Sequence, residues 1–179
     1  MGRDKSRVRL GRKTMLGLIR EIAGATGLRV RVIRRDLVAR CGPLGGIYSG
    51  LKTTRAQSVI FIACDMPFIT PGIIEKLRKA SVLHPNRAIL LRAVAKLTFP
   101  MLLPVEALPI VRSQIETGDH SIQSLAKRLR GIVIEAPSKW MPCLQNINTP
   151  RDLEFARRRL FKIGRTSSRV PEIKRKQPC

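Results

Sequence analysis

At 179 residues the chain has the length of one domain with room for a tail. Its 35 Lys and Arg against 12 Asp and Glu give a net charge of +23, while 44% of the residues are hydrophobic. That balance supplies a core, excludes a disordered polycation and predicts attraction to phosphate, whether on nucleic acid, a membrane surface or a small molecule.

In chain order, Thr14–Ala25 reads as a helix, with Leu16, Ile19 and Ile22 on one side and Gly24 and Gly27 at its end. Leu28–Ile33 largely alternates apolar residues with Arg, which predicts a strand with one wet face. The stretch 34–46 ends turn-rich in Cys41-Gly42-Pro43-Leu44-Gly45-Gly46, and Ile47–Thr54 follows as a helix. Ser58–Cys64 is a continuous run of branched and aromatic residues, the pattern of a strand buried on both faces of a parallel sheet. Asp65-Met66-Pro67-Phe68 closes it, and Thr70 and Pro71 start a helix to about Ala80 as N-cap and first helical residue. Strands are predicted at Ala88–Val94 and Phe99–Leu103, helices at Val105–Thr117 and Ser121–Leu129, and a strand at Gly131–Glu135. Asn146-Ile147-Asn148 precedes a further helix start at Thr149 and Pro150, running to about Leu160. From Phe161 the sequence turns to Arg, Lys, Ser and Pro without periodicity, which predicts an unstructured basic tail over 161–179 behind a domain spanning 1–160.

Other counts narrow the class. Aromatics make up 4% of the chain, too few for stacking platforms that hold single-stranded RNA. Cys41, Cys64, Cys143 and Cys179 form no C-x-x-C pair, and His84 and His120 have no ligand spacing, so neither a zinc ribbon nor a disulfide scaffold fits. A reduced, cytoplasmic setting suits that cysteine usage. No apolar run reaches the roughly 18 residues of a membrane span. Gly2 and Ser6 match the short acylation pattern M-G-x-x-x-[ST], a match of low specificity.

Strands alternating with helices predict an α/β fold with a mostly parallel sheet, whose ligands bind beyond the carboxyl ends of the strands. Asp65 stands at such an end, where one carboxylate plus substrate phosphates suits Mg²⁺. Gly42, Pro43, Leu44 and Gly45 offer backbone N–H groups ahead of a helix, although the spacing is neither a P-loop nor G-x-G-x-x-G. Asn146 and Asn148 carry amides suited to a metal or water, and equally suited to a turn. Lys5 suits triphosphate charge and reads equally as one more solvated lysine.

Together and in order, MGRDK at the start, D-L-V-A-R-C-G-P-L-G-G-I-Y-S-G-L from Asp36, ACDMPF from Ala63 and NINTPRDL from Asn146 resemble the molybdenum cofactor guanylyltransferases and related molybdopterin nucleotidyltransferases. The resemblance implies a Rossmann-like three-layer fold and GMP transfer from GTP to molybdopterin with Mg²⁺. It implies that Lys5 binds the GTP phosphates and that Asp36 and Gly42–Gly45 contact the nucleotide. Asp65 would bind the metal, with Asn146 and Asn148 on the second loop near metal and acceptor. A molybdoenzyme or a cofactor-biosynthesis protein is the implied protein partner.

Two departures accompany the resemblance. The family's lysine motif follows a first strand and an L-A-G-G turn, whereas this sequence begins inside that motif at Met1. The span from Lys13 to Asp36 is short, and no asparagine precedes Asn86, so a nucleotide-contacting asparagine of relatives has no counterpart. The expectation is therefore a start upstream of Met1. Alternatives are CTP in place of GTP, an inactive or weakly nucleotide-binding relative acting through its basic surface, or a charge-led nucleic-acid or membrane-surface binder.

Overall fold

The computed structural model describes residues 8–167, with side chains through 161. A two-residue hairpin, β1 (Arg9–Leu10) and β2 (Lys13–Thr14), leads into α1 (Met15–Gly24). The Thr14 side chain accepts from the Gly17 N–H at 3.0 Å and so caps α1 at its predicted start. There follow α2 (Pro43–Thr53), β3 (Ser58–Phe61), α3 (Pro71–Leu83), β4 (Ile89–Ala93), β5 (Lys96–Pro104), α4 (Leu108–Glu116), α5 (Ile122–Leu129), β6 (Ile132–Glu135) and α6 (Pro150–Ser167).

One mixed sheet, in the order β3-β5-β4-β6, forms the middle layer. β4 and β6 pair parallel, and β5 runs antiparallel to both β3 and β4. Three of its four strands thus point the same way, as the α/β reading expects, with β5 the exception. Period-two alternation divides the core. Leu90, Met101 and Leu103 pack with Ile47, Leu51, Val111 and Leu125 of α2, α4 and α5. The intervening Ile89 and Leu102 pack against Leu77 of α3 on the opposite face. The result is a three-layer α/β domain.

Several elements differ from the sequence pattern. Leu28–Ile33 forms no strand and pairs with nothing regular. Helix α2 starts at Pro43, inside the glycine turn, because Gly42 takes φ +52° and ψ −138°, a combination open to glycine, and Pro43 fits the first helical turn. The run 58–64 pairs only over Ser58–Phe61, at an edge of the sheet, and Val59, Ile60 and Ile62 are half-buried rather than enclosed. β5 is longer than its predicted core because Val94 and Ala95 both adopt positive φ and close a tight hairpin with β4. The predicted helix 105–117 splits into a 3-10 turn at Val105–Ala107 and α4. Helix α6 continues past Leu160 to Ser167, carried by Arg and Lys, which are good helix formers, and by the Glu154–Arg158 pair one turn apart.

Candidate active site

Two loops meet at the carboxyl end of β3. The backbone N–H of Ile147 donates to the Asp65 carbonyl at 2.8 Å, so the Asn146–Asn148 segment lies directly beside the turn that follows β3. Across that contact the Asn146 amide Nδ2 donates to Asp65 Oδ2 at a long 3.4 Å. The Asp65 turn is anchored from below: Met66 and Ile69 are fully buried with Ile73 and Leu144, and Phe68 packs with Leu10, Met15 and Ile147. Asp65 therefore stands on a rigid base rather than on a free loop.

The Asn loop is fixed by the helix after it. Thr149 Oγ1 accepts from the Asp152 N–H at 3.1 Å, while Asp152 Oδ2 accepts from the N–H groups of Thr149 at 2.8 Å and Asn148 at 3.0 Å. This reciprocal cap sets where Asn146 and Asn148 emerge. The N–H bond from Thr149, then that from Asn148, holds the Asp152 carboxyl below the usual carboxylate range. Sequence reasoning placed the cap at Thr149 and missed its partner Asp152, although T-x-x-D is a readable signal.

A third wall comes from α2. Asp36 lies against its first turn: a Cβ built on Gly45 would come within 2.8 Å of Asp36 Oδ2 and 3.1 Å of the Val38 carbonyl. Glycine at 45 is what allows that approach. The buried Ser49 ties the two segments, its Oγ accepting from the Leu37 N–H at 2.8 Å and donating to the Gly45 carbonyl at 2.7 Å. Sequence reasoning missed Ser49, whose signal was a lone hydroxyl four residues after Gly45 in a glycine-rich helix.

Topology brings this wall to the same end as Asp65. Residues 54–57 join α2 to β3, so the helix runs antiparallel to the strand, and Gly50 abuts the Phe61 ring. From that contact Pro43 lies about 10 Å back along the helix, toward the carboxyl end of β3 beyond which Asp65 stands. Gly42, Pro43, Leu44, Gly45 and Asp36 thus face the same end of the sheet as Asp65, Asn146 and Asn148. Leu44 itself is fully buried, so only its backbone can serve a ligand. Lys5 lies outside the described residues.

Arg159 on α6 is a supporting residue that sequence reading passed over as one of many charges. Its guanidinium lies 4.3 Å from the centroid of the Phe68 ring and donates to the Pro142 carbonyl, with the Cys143 sulfur at 3.7 Å. It pins the last helix to both loops of the site. Trp140 packs at the edge of the cluster around Met66, as a rim residue.

The donors at this rim are hard oxygens of the Asp65 carboxylate, with the Asn146 amide turned to it through Nδ2. Among the described residues no group of three or more His, Cys, Asp or Glu converges. One carboxylate beside an amide fits Mg²⁺, which keeps waters and substrate phosphates as its other ligands.

A family model described as the MobA-like NTP transferase domain matches residues 1–132. The chain belongs to the MobA-like NTP transferase family. A molybdenum cofactor guanylyltransferase of Pseudomonas entomophila is 32% identical over 105 residues, covering 59% of this chain and 52% of that protein. One from Syntrophotalea carbinolica is 32% identical over 134 residues, covering 71% and 63%. The chain spans about half to two-thirds of the length of the curated relatives it matches. The crystal structure of molybdopterin-guanine dinucleotide biosynthesis protein A from Archaeoglobus fulgidus superposes with a TM-score of 0.69 at 21% identity, covering 90% of this chain and 92% of that one. Rv0371C of Mycobacterium tuberculosis, solved in complex with manganese, gives 0.63 at 14% identity, covering 88% and 93%. These superpositions place the MobA-like chain in the Rossmann-like nucleotidyltransferase fold. No helix among the described residues is long and apolar enough to cross a membrane.

Proposed function

We propose that this MobA-like protein transfers GMP from GTP to the phosphate of molybdopterin and releases pyrophosphate, with Mg²⁺, in the cytoplasm. A phosphate oxygen of the acceptor forms a bond to the α-phosphorus of GTP as the bond to the β-phosphate oxygen breaks. Such a displacement demands alignment and charge neutralisation more than a covalent nucleophile.

The observation that carries the reading is the joining of Asp65 to Asn146 at the rim toward which the α2 N-terminus also points. Asp65 is the metal-holding carboxylate, and Asn146 orients it through the amide contact. The metal, when bound, neutralises phosphate charge and favours the departure of pyrophosphate. The first turn of α2 offers N–H groups and the positive end of its dipole to the nucleotide, with Gly42, Pro43, Leu44 and Gly45 supplying backbone contacts. Asp36, held close by Gly45, has the acceptor oxygens that guanine N–H groups require. Lys5 takes the triphosphate charge, and Asn148 borders the acceptor. The relatives named as guanylyltransferases favour GTP over CTP.

The test is transfer itself. GTP labelled in its α-phosphate, Mg²⁺ and molybdopterin are incubated with the protein, and the pterin product is separated. The expected result is label in the pterin with stoichiometric pyrophosphate. Label from CTP but not GTP would reassign the base, and absence of transfer from either would refute the reading.

A further inference from the structure

The carboxyl ends of β3, β4 and β6 share one rim, because β5 runs antiparallel to both β3 and β4 while β6 is parallel to β4. Asp65 and the α2 wall occupy the β3 side of that rim. The far side, at β4 and β6, carries a charged pair that the reaction as described does not use. Arg92 and Glu135 are register partners, and one guanidinium nitrogen lies 2.7 Å from one carboxylate oxygen.

Alternation sets the face on which the pair stands. Leu91 packs with Met66 and Ile73 on the α3 side, whereas Leu90 packs with Ile47 and Leu51 of α2 on the other. Arg92 therefore shares the face of Leu90. Leu97, opposite Arg92 on β5, packs against that same cluster. The pair and the nucleotide wall thus belong to one face of the sheet at one rim. The strand beside the pair is held firmly: Gln123, in the first turn of α5, donates to the Leu97 carbonyl at 2.9 Å and accepts from its N–H at 3.2 Å. Arg92 and Glu135 remain 41% and 67% exposed, and each gives the other a single atom. One carboxylate oxygen is left to accept and further guanidinium N–H groups to donate, side by side. Such a couple matches the edge of a 2-amino-4-oxopyrimidine ring, whose amino and ring N–H groups donate and whose oxo group accepts. Pterins and guanine share that edge.

We propose that Arg92 and Glu135 read this edge on the pterin of the acceptor, Glu135 accepting from its N–H groups and Arg92 donating to its oxo oxygen. The inference rests on the acceptor being a pterin, as proposed above. Place decides for the pterin over guanine. The α2 wall, with Asp36, gathers over β3, while the pair stands on β4 and β6 across the sheet. From β3 to β4 is two strand spacings, about 10 Å, which leaves room for a fused ring between the pair and a phosphate at Asp65. Both residues set specificity and neither reaches the reacting phosphorus. An exposed pair adds little to stability, so its removal leaves the fold in place.

Binding of free rings tests the inference apart from transfer. The full chain is titrated, by ligand fluorescence, with pterin and with lumazine, in which an oxo group replaces the 2-amino group. Pterin should bind about tenfold more tightly, and Glu135→Gln should remove the preference with Tm unchanged. In the transfer assay Glu135→Gln should raise the KM for molybdopterin about tenfold and leave the KM for GTP as it was. The double variant Arg92→Glu, Glu135→Arg restores an ion pair but exchanges donor and acceptor. Molybdopterin, oriented by its phosphate, should stay poorly bound to it. Equal binding of pterin and lumazine, or rescue by the charge-reversed variant, would overturn the proposal. A raised KM for GTP in place of molybdopterin would overturn it too, and assign the edge to guanine. Transfer without a pterin preference would refute this inference alone; a pterin preference lost in Glu135→Gln, without transfer, would support it and refute the proposed reaction.

Discussion

β3 has two unlike sides. On one it pairs in register with β5 from Ser58 to Phe61, and beyond β5 the sheet continues through β4 to β6 between packed helices. On the other it borders a slot of about 940 Å³, and the residues facing it across the gap, 28–33, have no regular partner. The same strand leads to Asp65 at the rim, where the turn after it is anchored by Met66, Ile69 and Phe68. The contrast teaches that a residue pattern can specify a strand without specifying its neighbours: SVIFIAC reads as a central strand, and among the described residues it is an edge.

The largest effect should come from the completed side. Leu91 on β4 is 1% exposed and packs with Met66, Ile69 and Ile73 under the Asp65 turn. Leu91→Ala should cost about 2–5 kcal/mol by denaturant unfolding. Ile60→Ala, on the half-buried edge strand, should cost less than half as much; equal costs would mean that the sheet's edge is packed as tightly as its interior.

Next in size is a change at the α2 wall. Gly45→Ala puts a methyl group 2.8 Å from the Asp36 carboxylate and 3.1 Å from a backbone carbonyl, while favouring the helix by about 1 kcal/mol. GTP affinity should fall about tenfold or more, read by titration calorimetry, with Tm little changed. A fall in Tm with unchanged affinity would separate Asp36 from the nucleotide.

A smaller effect belongs to the Asn loop. Thr149→Ala removes the hydroxyl that accepts from Asp152 and should cost about 1 kcal/mol. The partner carboxylate adds a pH signature. Its folded pKa lies below the unfolded value of about 3.9, so its contribution is fully present above that value and is lost as pH falls through the lower folded value. Melting curves of the protein and of Asp152→Asn should differ at pH 6 and converge in acid below pH 4.

Much of this was legible in the sequence. Thr14, Thr70 and Thr149 marked helix starts that the structure retains, through side-chain caps at Thr14 and Thr149 and through Pro71 in the first helical turn after Thr70, all of it local chemistry. Asp65 and Asn146 could be placed at a rim because a strand or a helix start fixes the backbone beside each. What escaped was non-local or lacked its usual residues. The β4–β5 hairpin turns on Val94 and Ala95, which carry no Gly, Asn or Asp signal, so the reversal of β5 left no mark. The alternation of 28–33 predicts a strand, but a strand also needs a partner. Arg159 was hidden among its basic neighbours, since only the fold sets it over Phe68.

The central claim is that Asp65 holds the metal at a GTP site. Thermal unfolding with Mg²⁺ and GTP, alongside Asp65→Ala, tests it most directly. GTP should raise Tm only when Mg²⁺ is present, and Asp65→Ala should abolish the rise. A rise of the same size without Mg²⁺, or one that survives Asp65→Ala, would contradict it.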